Sequence, residues 1–171
     1  MSFLQTISTS SFSELLDNTS LAWGLAACGV AQVSKLLFEL LINNKWRPSV
    51  LIETGGMPSS HSALVTGTAS GIGLQLGFAS PTFALAATVA FIVMYDASGI
   101  RRAAGLIATR VNQLSADKFT KSIEIPLKES LGHTRLEVLV GSLLGPCIAL
   151  PGIVFIGSPL HLIHSFGSII G

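Results

Sequence analysis

Two stretches of this chain contain no Asp, Glu, Lys or Arg: Thr54 to Tyr95 and Val138 to Gly171. Each exceeds the roughly 20 apolar residues that a helix needs to cross a bilayer. The first is divided by Ser80-Pro81, where proline removes a backbone donor and disfavours helix in the residue before it, so it holds two crossings. With 11% charged and 49% hydrophobic residues and a mean hydropathy of +0.65, a chain of 171 residues has too little polar surface to clothe a soluble globule. The expected fold is therefore an all-α, polytopic transmembrane helical bundle of four to five membrane helices. Crossings are expected at 20–42, 59–79, 82–98 and 134–157, with a short fifth apolar piece at 159–170. Residues 1–19 form an N-terminal segment and 20–171 a single membrane-embedded domain. The N-terminal segment is Ser/Thr-rich, carries Glu14 and Asp17 and has no basic residue, unlike a cleaved signal or an Arg-rich transit peptide.

Other features narrow the chemistry. A net charge of +1 gives no reason to expect a nucleic-acid partner. Cys28 and Cys147 fall in apolar segments and read as packing residues, and neither they nor His161 and His164 form a metal-ligand pattern. No metal or cofactor is expected, and the oligomeric state is left open. In the second crossing, Gly67 and Gly71, then Gly73 and Gly77, repeat a G-x-x-x-G spacing that favours close helix contact. Pro146 and Pro151 are expected to kink the fourth.

Charge placement gives the topology. Crossings two and three form a hairpin, so segments 43–58 and 99–133 lie on one side, and every Lys and Arg except Lys35 falls in or beside them. The opposite side has Glu14 and Asp17 alone. The excess of basic residues places both segments in the cytoplasm or its equivalent.

That topology gathers distant residues on one membrane face. Gly55-Gly56-Met57-Pro58-Ser59-Ser60-His61 reads as an anion-binding turn leading into a helix, its glycines allowing backbone N–H groups to approach a phosphate. On the same face lie Arg47, Asp96, Arg101, Arg102 and the pair His133 and Glu137, four residues apart and so on one helix face. Lys35 sits one turn from Glu39, as a neutralising pair or the start of a polar site. Duller readings exist for each: a serine cap, a helix-start pair, a basic stop at a helix end, interfacial anchors. Asp96 is costly in an apolar crossing and points to a partner in Arg101 or Arg102. Two histidines, one with a carboxylate partner, together with arginines and a glycine turn are the parts of phosphoryl transfer: one imidazole attacks, the other protonates the leaving oxygen.

Met57-Pro58-Ser59-Ser60-His61 resembles the Pro-Ser-Gly-His motif of the type 2 phosphatidic acid phosphatase and vanadium haloperoxidase superfamily, and His133-x-x-x-Glu137 its final His-x-x-x-Asp. The runs at 55–63, 95–105 and 131–138 resemble more closely the divergent branch of that superfamily found in bacteria and plastids. The resemblance implies a metal-independent lipid phosphate phosphatase. Its substrate would be an amphiphilic phosphate such as phosphatidic acid, phosphatidylglycerophosphate or a polyprenyl phosphate. It implies that His133 is the nucleophile forming a phosphohistidine, Glu137 its orienting carboxylate and His61 the acid. Lys35, Arg47, Gly56, Ser59, Ser60, Arg101 and Arg102 would bind phosphate, with Asp96 behind them. The host would be a bacterial inner membrane or a plastid membrane, with the site on the cytoplasmic or stromal side. Two positions depart from the superfamily pattern. Position 40 is Leu where the first motif has Lys, leaving Lys35 as the nearest lysine upstream, and position 127 is Leu near the place of the third-motif arginine. Arg101 or Arg102 is the expected replacement. The departure motivates an alternative, a non-catalytic lipid-phosphate-binding, transport or assembly protein.

Overall fold

The computed structural model describes residues 14–15, 17–44, 46, 48–51, 55–116 and 126–158. In chain order these form α1 (Thr19–Asn43), a 3-10 turn (Pro48–Leu51), α2 (Ser60–Leu76), α3 (Pro81–Ser98), α4 (Ile100–Ala116) and α5 (Arg135–Phe155), with no strand among the described residues. Local signals set the helix starts. The side chains of Asn18, Ser59, Ser80 and Thr134 cap α1, α2, α3 and α5 by accepting first-turn N–H groups, and Pro81 occupies the first turn of α3, where its missing N–H is harmless. Helix α5 continues through Pro146 and Pro151.

The packing is inverted relative to a soluble protein. The buried apolar residues are mostly alanines, among them Ala27, Ala31, Ala63 and Ala149, whereas Leu85, Phe91 and Phe155 are 66%, 67% and 85% exposed. Small residues inside let backbones approach, and large apolar side chains outside meet lipid. Helix α2 is central, packed against α1, α3 and α5. A Cβ on Gly145 would lie 2.5 Å from Ala63 O and 2.7 Å from Gly67 N, so α5 and α2 meet backbone to backbone there. Gly67 also faces Gly24 of α1, and Gly71 faces Ser20 of α1 and Ile153 of α5. The second glycine pair differs: Gly73 faces Phe78 and Phe83, and Gly77 ends the helix at φ +88°. Gly145→Ala is expected to destabilise the protein by about 1–3 kcal/mol, the usual cost of overpacking. Gly29→Ala, with nothing within 4 Å of the new methyl, should be neutral or stabilising. Thermal unfolding in detergent compares the two.

Among the described residues, three helical stretches are long and apolar enough to cross a membrane: Thr19–Leu41, Pro81–Leu114, which runs from α3 across Gly99 into α4, and Arg135–Phe155. This is fewer than the four to five expected. The expected second crossing is a helix of 17 residues, rich in Gly, Ser and Thr because its neighbours are helices on several sides. The piece at 159–170, with His161 and His164, lies outside the described residues.

Candidate active site

The ends of α2, α3 and α5 are tied together by main-chain bonds. Ser59 N donates to Glu137 O at 3.1 Å, and His133 N donates to Ala97 O at 2.9 Å. Gly132 makes the second tie possible. Its φ is +79°, and a Cβ there would collide with the backbone of Arg101 and Arg102, so only glycine allows the 131–133 segment to lie on the start of α4. Gly55 in turn lies beside the carbonyls of Ser130 and Gly132, a Cβ there falling 3.7 Å from each.

His61, Arg101 and His133, with Val93 and Ala97 of α3, line one small cavity of about 20 Å³, roughly room for a single water. His133 is buried, whereas His61 and Arg101 are exposed. His133 Nδ1 lies 3.2 Å from Glu137 Oε2. A carboxylate only accepts, so Nδ1 carries the hydrogen and the neutral ring keeps its lone pair on Nε2. That Nε2 is buried and has no hydrogen-bond partner among the described residues. Burial holds the imidazole below its ordinary value of 6.5, with the Lys35 and His61 charges acting the same way and the Glu137 hydrogen bond and charge opposing them. The ring is therefore neutral near pH 7.

Glu137 has a second task. Its Oε2 also accepts Thr134 N at 2.9 Å while Thr134 Oγ1 accepts Glu137 N at 3.3 Å, a capping box that seats the first turn of α5. One carboxylate thus bonds both the start of α5 and the His133 imidazole. Asp96 Oδ2 accepts Arg101 Nε at 2.6 Å, so Arg101 and not Arg102 is the acid's partner and the arginine at the cavity. The Arg102 side chain is exposed, and its backbone is the surface on which Gly132 rests.

Lys35 is buried in α1, its charge felt by His133 and its stem 4.0 Å from a Cβ placed on Gly56. Gly56 itself has φ +86° and is exposed. Ser59, expected at the phosphate, caps α2. It is fully buried, its Oγ accepting Ser62 N at 3.4 Å and Ser62 Oγ at 2.9 Å, because a serine at this position is needed as the α2 cap. Ser60 is likewise buried. Arg47 lies outside the described residues.

Several supporting residues were not read from the sequence. The T-x-x-E signature of the capping box was present at Thr134-Arg135-Leu136-Glu137. So was the apolar period of α4, at Ile100, Ala103, Ala104, Ile107, Val111 and Leu114. Helix α4 holds the segment that precedes His133. Asn112 Nδ2 donates to Leu127 O at 2.8 Å, Asn112 Oδ1 accepts Leu127 N at 2.9 Å, and Thr109 and Asn112 both bond the Glu129 carboxylate.

Fold and site together define an all-helical integral membrane protein with paired histidines and an arginine at one end of its bundle. The chain belongs to the Divergent PAP2 family, whose pattern it matches over residues 16–148. It is also similar to the "Uncharacterized membrane protein YuiD" of Bacillus subtilis (strain 168), with 42% identity over 150 residues, covering 80% of this chain and 95% of that one. No solved structure matches it.

Proposed function

We propose that the protein is a phosphoric monoester hydrolase acting on an amphiphilic lipid phosphate, with its site at the cytoplasmic or stromal face. The observation that carries this reading is the unpartnered, buried Nε2 of His133, whose ring is set by Glu137 and which shares a cavity with His61 and Arg101. In this reading α2 completes a fourth crossing, so the site lies at headgroup depth and substrate reaches it from the bilayer.

Nε2 attacks phosphorus, the bond from phosphorus to the lipid oxygen breaks, and His61 gives that oxygen its proton. Water then attacks the phosphohistidine, His61 taking the water's proton, and releases inorganic phosphate. Arg101 and Lys35 neutralise the charge on the phosphoryl oxygens, work that the resemblance also gives to the third-motif arginine. Asp96 keeps the Arg101 guanidinium aimed at the cavity.

Purified protein in detergent with EDTA should release phosphate from at least one of phosphatidic acid, phosphatidylglycerophosphate or a polyprenyl phosphate. Silence across that panel, with binding of the same lipids retained, would favour a lipid-phosphate-binding or transport protein. Arg101→Ala should lower kcat/KM by about 10²–10³-fold, as for loss of one charge-stabilising donor. Arg102→Ala should leave it nearly unchanged. The reverse result would make Arg102 the phosphate ligand.

A further inference from the structure

Helix α4 has three faces, and the phosphatase reading uses only one. Gly105, Ala108, Thr109 and Asn112 turn toward the protein, with Thr109 and Asn112 gripping the 127–129 segment. A second stripe is apolar and bare: Ile100, Ile107 and Leu114 are 67%, 62% and 69% exposed and recur every seven residues, two helical turns. Arg110, also exposed, lies beside that stripe, whereas the exposed Arg102 lies on the far side of the helix.

We propose that α4 is an in-plane membrane helix, with its Ile100–Ile107–Leu114 face sunk into the acyl boundary of an anionic leaflet and Arg110 on the phosphates at its edge. Three observations select lipid as the occupant. Only Gly99 separates α4 from α3, so it begins where a crossing ends. The crossing is itself apolar and bare on its outward side near this end, where Phe91, Ile92 and Tyr95 are exposed, and Tyr95 is an amphipathic ring of the kind found at bilayer interfaces. Arg110 beside an apolar stripe matches an anionic headgroup layer in sign and depth. The consequence is mechanical. The helix that holds the approach to His133 would itself be seated on the membrane, setting the height of the site relative to the headgroups. The inference stands whether or not the site turns over substrate.

The test is a spin-label scan of the full chain in a Cys28→Ala, Cys147→Ala background, reconstituted in phosphatidylcholine vesicles with or without phosphatidylglycerol. Labels at Ile100→Cys, Ile107→Cys and Leu114→Cys should show a severalfold higher ratio of oxygen to nickel-chelate collisions than labels at Arg110→Cys and Gln113→Cys. Phosphatidylglycerol should deepen the apolar-face labels, and high salt should reverse that shift. Equal ratios on the two faces would overturn the proposal. So would low collision with both reagents at Ile107→Cys that rises as protein is diluted in lipid, which would mark a second copy on this face. Depth insensitive to phosphatidylglycerol and salt would overturn the anionic preference. Each variant is accepted only if it elutes as a single species in detergent with a helical far-ultraviolet spectrum.

Discussion

His133→Ala is expected to remove phosphate release from a lipid phosphate almost completely, by about 10⁴-fold or more, the scale on which loss of a covalent nucleophile acts. The protein should survive the change. The His133 tie to Ala97 runs through the main chain, and Gly132 and the Thr134 cap are untouched. Thermal unfolding close to that of the parent, together with lost turnover, assigns the residue to chemistry. His61→Ala separates the two histidines. With a lipid phosphate, whose alkoxide leaving group needs a proton, it should also be severely impaired. With a nitrophenyl phosphate, whose leaving group departs without one, the first step should recover and a phosphorylated His133 should accumulate. Turnover by His133→Ala equal to that of the parent would remove the mechanism.

The sequence was most readable where solvent is decisive. Long uncharged runs had to become helices, and Ser80-Pro81 began α3 as cap and first turn, after Gly77 had ended α2. The convergence of His61, Arg101, His133 and Glu137 was expected from reading the second and third apolar segments as a hairpin, and the ends of α2, α3 and α5 do lie together. What resisted reading has physical causes. Helix α2 is central, so its residues were selected for closeness and its hydropathy understates its place in the bundle. Helix α4 is amphipathic rather than uniformly apolar, so the long uncharged runs do not reveal it. Ser59 carries a hydroxyl that could serve phosphate or a helix cap, and its burial and its bonds with Ser62, which show the cap, are legible only in the fold. Arg101 and Arg102 are neighbours in sequence, yet one helical step turns the first toward the histidines and the second away from Asp96.

Glu137→Gln tests whether the carboxylate acts on catalysis or merely on the fold. Glutamine serves at the third position of a capping box nearly as well as glutamate, so the start of α5 should persist and stability should change by less than about 1 kcal/mol. The imidazole fares differently. An amide carries no charge to stabilise the ring as it becomes cationic on attack, and its NH₂ group can present the wrong partner to Nδ1 and change the tautomer. Loss of the comparable carboxylate in hydrolase triads costs about 10⁴-fold in kcat, and about 10²–10⁴-fold is expected here. The pH profile supplies a readout that a structural role would not move. In the parent, burial sets His133 below its ordinary 6.5, so the neutral nucleophile is favoured and the acid limb of kcat/KM falls below that value. The sign for stability is the same: the depressed group contributes stability that is present above the unfolded value and lost as pH falls through the folded one. The Glu137 hydrogen bond and charge are the influences that raise His133, so removing them should move the acid limb to still lower pH while kcat drops. A limb that moves upward, or full activity in Glu137→Gln, would show that Glu137 caps a helix and does nothing for the ring beside it.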